Sequence, residues 1–323
     1  MRVVVIPAFV ETALQAAQLL RSAAAAAQAG VARVIVVDDA SPVAVRLAVP
    51  GVEVLRRESN GGAAAARNRG IERALELGAR LVLFTDVDCV PAPDWADAHT
   101  RFLDRTDHLA SGGVTRALGA TLLDRYHDFA GTLNGQWRLP RHETLLYAPT
   151  CNLAVRSALL AHLRFDERFP HVGEDVDFGV RLGERGTIGL ATEAVVRHDF
   201  GYASAVAGLP AFVRQFRRYG CGEQLLHERH AHLRDQRVEG CAPEHLLSPA
   251  PVESSGYRRA SLGRVRPRRL RPALALLKRV ARAAFQSGRA SPPPWRTVEA
   301  LDGAAPTTTA GAEAPAPSRR AAD

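Results

Sequence analysis

The chain has 323 residues, 46% of them hydrophobic, enough for a sizeable core and for one large domain or one with an appendage. Its formal net charge is +8, but twelve Lys or Arg residues and no acid lie between Tyr257 and Arg296, and removing those twelve leaves −4 for the rest. A mildly acidic body argues against general nucleic-acid binding, and the alanine-rich run from Ala23 to Ala29 is far short of the ~20 residues that span a bilayer.

Strand-like and helix-like runs alternate over the first 115 residues. Val3–Ile6 is a β-branched strand, Thr12 caps a helix through about Gln28, and Gly30 stops it. Val34–Val37 is a second strand ending at Asp38 and Asp39, Val52–Leu55 a third, Ala63–Leu77 a helix closed by Gly78, and Leu81–Thr85 a fourth strand. Continuous Val/Ile/Leu runs between helices predict a mainly parallel α/β sheet covered on both faces. Right-handed crossovers then bring Pro7–Glu11, Asp38–Asp39 and Asp86–Asp88 to one sheet edge, where such sheets bind ligands.

From about Ser111 to Ala231 the pattern is mixed: an extended segment at Leu145–Val155, a helix at Glu174–Arg185, a strand at Thr187–Arg197 and a helix at Leu209–Glu228. After Pro243 the composition turns to Pro, Ser, Gly and Arg. Within it, Arg271–Gln286 puts Leu274, Leu277, Val280, Ala281 and Ala284 on one helical face, with Lys278, Arg279 and Arg282 largely opposite. The stretch from Gly303 onward reads as disordered. Cys89, Cys151, Cys221 and Cys241 show neither CxxC pairing nor zinc spacing, and MRVVVIPAF starts a strand at once rather than an apolar leader. Both features point to a cytoplasmic, reducing compartment.

Two acidic constellations carry the chemistry. In LFTDVDCVP a buried strand ends in Asp86 and Asp88, which an extended backbone would project to the same side. Unpartnered buried charge is costly, so the pair needs a cation, hydroxyls or water; Mg²⁺ or Mn²⁺ with a diphosphate would satisfy it. The second is Glu174-Asp175-Val176-Asp177, at a helix start where the macrodipole alone favours acids. No G-x-G-x-x-G follows a strand, which argues against a classical dinucleotide dehydrogenase, and no glycine- and lysine-rich phosphate loop suggests a nucleotidyltransferase.

Seven segments in order, VVIPAFVET, VIVVDDAS, NGGAAAARNRGI, LFTDVDCVP, LLYAPTCNLAVRS, FPHVGEDVDFGVRLGERG and VRQFRRYG, give the chain from Val3 to about Gly222 a clear character. It resembles the family-2 glycosyltransferases, inverting enzymes of the GT-A fold that take a sugar from a nucleotide donor. The resemblance implies a GT-A domain over 1–232. Residues 1–115 would be its nucleotide-sugar half and 116–232 its acceptor half; 233–323 would hold a linker, the basic helix and the tail. It implies a nucleotide-sugar donor, a UDP-sugar by default, a divalent cation (Mg²⁺ or Mn²⁺), and a glycan, lipid or small-molecule acceptor.

The roles it implies fall on matching positions. Pro7, Ala8 and Glu11 would hold the nucleoside, Asp39 with Asp38 the base, and Arg67 the base or phosphates. Asp86 would face the ribose and metal region, Asp88 would ligate the metal, and His198 would be a further ligand. Asp175 would be the base that deprotonates the acceptor, supported by Glu174. Arg217 or Arg218 would touch a phosphate, and Gln136 and Trp137 would line the acceptor pocket. Each has a plainer reading. Asp38 or Asp39 could cap a turn with Ser41, Arg67 could be an exposed helix residue, His198 structural, the two arginines a solvated face, and Trp137 core. Two departures stand out: Val10 replaces the asparagine of the family's P-x-Y-N-E start, and Tyr219 the tryptophan of Q-x-x-R-W. The basic helix either rests on an anionic membrane surface or packs on the domain. The competing reading of the whole is a catalytically silent GT-A domain serving as scaffold or sensor.

Overall fold

β1 (Arg2–Ala8) sits inside the sheet because Val3–Ile6 offers apolar side chains to both faces, and all four are fully buried. The computed structural model describes residues 1–137, 144–169, 172–230 and 270–290. β2 (Arg33–Asp38), β3 (Val52–Arg56) and β4 (Leu81–Phe84) run parallel to β1 in the order β3-β2-β1-β4. Alternate residues feed two cores. Val3, Val5, Ile35, Val37, Val82 and Phe84 point to one, and Val4, Ile6, Val34, Val36, Leu81 and Leu83 to the other. Each such side chain contributes about 1.5–3 kcal/mol on burial.

Helices cover both faces, as expected. α2 (Gly62–Glu76) lays Ala64, Ala66, Ile71 and Ala74 on the first. α1 (Ala13–Gln28) lays Leu19, Ala23 and Ala26 on the second. Thr12 caps α1 in a reciprocal box with Gln15. α2 approaches β1 closely at Gly70, where a Cβ would stand 2.3 Å from Val5 Cγ1.

The second half completes a mixed sheet. After β5 (Cys89–Pro91), α3 (Trp95–Asp104), β6 (Ala110–Ala117), α4 (Leu122–Ala130), β7 (Gln136–Trp137), β8 (Leu145–Tyr147), β9 (Leu153–Arg156) and α5 (Ser157–Leu160) come α6 (Glu174–Leu182), β10 (Ile188–His198), α7 (Ala205–Arg229) and α8 (Arg271–Ala290). The strand order continues β4-β9-β6-β10-β8-β7, and β5 pairs with β10. β9 runs antiparallel to both β4 and β6, joining the two halves. This is the α/β architecture expected, GT-A in character. Asn152 ties the halves from within: it accepts from Trp95 Nε1 at 2.8 Å, donates to Ala194 O at 3.0 Å, and lies 3.0 Å from His99 Nε2.

α8 buries Leu274, Leu277, Ala281, Ala284 and Phe285, and it shares a core with Phe212 and Phe216 of α7 and Leu123 and Tyr126 of α4. Arg279 and Arg282 are exposed. The apolar face read from the sequence therefore packs on the domain. Residues 233–269 of the expected linker and 291–323 of the expected tail lie outside the described residues.

Candidate functional site

The parallel strands deliver their carboxyl ends to a cleft of about 590 Å³. Pro7 and Ala8 line it from the end of β1, Asp39 follows β2, Arg67 comes from α2, and Asp86 and Asp88 follow β4; Glu174 and His198 close it. A second cavity of about 180 Å³ shares Arg67, Asp86, Glu174 and His198 with the first, and continues to Asp175, Tyr147, Gln215 and Tyr219. Asp88 lines the first cavity and Asp175 the second, and the two cavities share four wall residues.

Arg67 is the keystone. It is only 3% exposed, and its guanidinium donates to Asp86 Oδ1 and to Glu174 Oε1, each at 2.8 Å. Its charged form suffers from burial, but the two carboxylates more than compensate and hold it firmly protonated. The exposed-helix reading of Arg67 is thereby replaced: the side chain bridges Asp86, after β4, to Glu174, at the start of α6.

The backbone at Asp86–Asp88 is a turn, not the extended segment expected. Cys89 N–H donates to Asp86 O at 3.1 Å, and Ser22 Oγ of α1 donates to the same oxygen at 2.8 Å. The turn separates the two carboxylates: Asp86 meets Arg67, whereas Asp88 Oδ1 lies 3.4 Å from His198 Nε2. The register of β5 on β10 explains this second meeting, since His198 pairs directly with Cys89 and Asp199 N–H donates to Asp88 O at 2.7 Å. Asp88 Oδ1, Cys89 Sγ and His198 offer ligand atoms within 4.8 Å of one another, a donor set that fits a divalent cation. Burial pushes the Asp88 carboxyl up, His198 opposes this, and Asp86 adds to it. The His198 ring lies 4.2 Å from that of Phe200, tilted by 36°, and its buried Nδ1 has no hydrogen-bond partner among the described residues.

Asp175 stands at the first turn of α6. Gly173, at φ 100°, makes the sharp entry that a side chain would resist. Val176 N–H donates to Asp175 Oδ1 at 2.8 Å. Burial and then the neighbouring Glu174 charge raise its pKa to about 7, against the lowering pull of Arg67. Asp177, in contrast, is fully buried and taken up by Arg181 and by His230 at 2.9 Å, a structural tie between α6 and the end of α7.

Three expected residues do not reach the cleft. Asp38 is fully buried; it accepts from Ser41 N–H at 2.9 Å and Val45 N–H at 3.1 Å and pairs with Arg56. Burial pushes its carboxyl up, but those hydrogen bonds outweigh it and hold it below the usual carboxylate range. It performs the turn-capping role, aided by Ala40 in the left-handed region at φ 59°. Glu11 is exposed on the β1–α1 loop, where its N–H donates to Gln15 of the cap. Arg218 is exposed on α7, as is Arg217, while Gln215 and Tyr219 of the same motif line the smaller cavity. Asp39 remains on the lining, but its carboxylate accepts from Gly62 N–H at 2.7 Å and pairs with Arg57. Gln136 and Trp137 form β7 against β8; their side chains lie outside the described residues.

Sequence reasoning missed Cys89, Gln215, Tyr219 and Tyr147. All four lie inside quoted motifs, and the signal available for the α7 pair was helical: Gln215 and Tyr219 are four apart, hence on one face.

The sequence model of glycosyl transferase family 2 matches residues 3–166, just over half the chain. A pre-mycofactocin glycosyltransferase of Mycobacterium tuberculosis, from strains CDC 1551 and H37Rv alike, is 34% identical over 179 residues, covering 52% of this chain. The match spans 37% of the length of those relatives. Among solved structures, Staphylococcus aureus TarS 1–349 in complex with UDP aligns at 14% identity over 90% of both chains, with a TM-score of 0.45. GalNAc-T7 with UDP, GalNAc and Mn²⁺ aligns at 12% identity over 61% of this chain and 43% of its own, with a TM-score of 0.42.

Proposed function

The chain belongs to glycosyl transferase family 2, and from that premise we propose that it passes a sugar from a nucleoside-diphosphate donor to an acceptor hydroxyl with inversion at the anomeric carbon. The observation that carries this is the pair of adjoining cavities, with Asp88 on one and Asp175 on the other. The larger takes the nucleotide and the smaller the attacking hydroxyl. Uridine diphosphate is the default carrier, on the motif resemblance alone.

Asp175 accepts the acceptor's proton as its oxygen attacks. Its raised pKa makes it a stronger base than an ordinary aspartate, provided it lies within hydrogen-bond reach of that proton. Glu174 is already engaged by Arg67, so it keeps the adjacent negative charge that sustains the basicity of Asp175. Arg67 holds Asp86 and Glu174 at fixed positions, and so sets the spacing between donor and acceptor sides.

Five carboxylates line the two cavities (Asp39, Asp86, Asp88, Glu174 and Asp175) against one arginine, Arg67. A diphosphate entering such a field calls for a counter-cation. Asp88 and His198 would hold it, Mg²⁺ or Mn²⁺, and when bound it supplies neutralisation of the departing diphosphate's charge.

Among the described residues no helix is long and apolar enough to cross a membrane. An anionic membrane surface, if the acceptor is lipid-borne, would meet the exposed Arg279 and Arg282 of α8 and the exposed Arg214 and Arg217 of α7.

Thermal-shift screening of nucleotide sugars with Mn²⁺, followed by a transfer assay, tests the proposal. It expects at least one nucleotide sugar to raise Tm only when the cation is present. Stabilisation by no nucleotide sugar, or equal stabilisation in excess chelator, contradicts it.

A further inference from the structure

The donor set beside Asp88 includes a thiol that the D-x-D reading does not use. We infer that Cys89 is a third protein ligand of the cation, making the site a mixed O, N and S site. The inference rests on the reading of Asp88 and His198 as ligands.

Geometry supports it in two independent ways. First, Cys89 and His198 are direct antiparallel partners in the β5–β10 ladder, so their side chains emerge on the same face of the sheet. Second, the three ligand atoms are spaced as the corners of one coordination polyhedron would be. Cys89 Sγ is 3.6 Å and His198 Nε2 3.4 Å from the same Asp88 oxygen, and all three lie within 4.8 Å of one another. A triangle of those dimensions has a point no more than about 2.4 Å from every corner, a few tenths of an ångström beyond zinc's bonds to oxygen and nitrogen and close to its bond to sulfur. Tetrahedral edges at ordinary zinc bond lengths come to about 3.5 Å for S–O and about 3.3 Å for N–O, close to the distances found. Asp86, the other acid of the motif, has its Oδ1 engaged by Arg67 at 2.8 Å.

The chemistry follows from the donors. A thiolate ligand favours Co²⁺ or Zn²⁺ over the harder Mg²⁺ and Mn²⁺. As the sulfur–metal bond forms, the S–H bond breaks and its proton passes to solvent, so binding releases one proton from Cys89.

Cobalt(II) added to the full-length, chelator-treated protein is the test, because a sulfur-to-cobalt charge-transfer band in the near ultraviolet reports thiolate ligation directly. The inference expects that band in the wild type and its loss in Cys89→Ser. That variant should bind Co²⁺ about tenfold more weakly, with Mg²⁺ affinity changed less than about twofold. Weak visible cobalt bands without the charge-transfer band would overturn the inference and leave Asp88 and His198 as ligands. No cobalt binding at all would overturn both. Should Cys89→Ser fail to fold, the Cys151→Ser, Cys221→Ser, Cys241→Ser triple variant carries the test: the band must survive, and its loss assigns the thiol elsewhere.

Discussion

Arg67 meets Glu174 at 2.8 Å across 107 positions of the chain, and both side chains are nearly closed to solvent. The contact joins α2 to α6, the helix that opens with Glu174 and Asp175. Removing the guanidinium would leave Glu174, Asp175 and Asp86 as neighbouring acids without their cation. Arg67→Met is expected to cost about 3 kcal/mol of stability, as for breaking a buried pair, and to reduce transfer further by loosening Asp175. Arg67→Lys should rescue little, since one ammonium cannot reproduce the forked guanidinium. Urea unfolding of both variants checks this; a midpoint within error of wild type for Arg67→Met would remove Arg67 from its bridging role.

Asp175 gives the site a pH signature. With its pKa raised to about 7, kcat/KM should climb through that region to an alkaline plateau, because only the carboxylate accepts a proton. The stability effect has the opposite sense. Between the ordinary aspartate value of 3.8 and about 7, the folded chain retains a proton that the unfolded chain has lost, so this group lowers stability as pH rises across that window. Asp175→Asn should therefore unfold at a higher temperature than wild type at pH 8, and the gap should close near pH 4. An identical Tm difference at both values would mean that the carboxyl is not raised.

The exposed arginines of α7 and α8 make a separate prediction. The full chain should co-sediment with vesicles rich in anionic phosphatidylglycerol and not with neutral phosphatidylcholine, and added salt should release it. Arg214→Glu with Arg279→Glu and Arg282→Glu should weaken that binding about a hundredfold or more, at roughly 1 kcal/mol for each basic residue. Equal sedimentation of the variant and wild type would take this face out of the account.

Much of the fold was legible because the signals were local. Val3–Ile6, Val34–Val37 and Leu81–Phe84 are uninterrupted apolar runs, and the Thr12 and Gly78 boundaries are stereochemical. β6 was not legible, since its Gly112 and Gly113 carry no strand signature. Their role is close approach: a Cβ at Gly113 would stand 2.3 Å from Ala194 O. The site divides in the same way. Pro7, Ala8, Asp39, Arg67, Asp86, Asp88, Glu174, Asp175 and His198 gather because topology brings strand ends and the start of α6 together. Asp38 left the set because Arg56, eighteen residues on, and the Val45 amide, seven on, consume its oxygens. Cys89 could not be read at all, because its position beside His198 depends on the β5–β10 register.

The central claim is a division of labour: Asp88 serves donor binding through the cation, and Asp175 serves proton removal. Calorimetric titration of the donor with Mn²⁺, run beside transfer assays on Asp175→Asn and Asp88→Ala, tests it most directly. The account predicts that Asp175→Asn binds donor within about threefold of wild type while transfer falls by about a thousandfold, and that Asp88→Ala loses the metal-dependent part of binding. An Asp175→Asn enzyme that turns over normally but binds donor poorly would contradict it.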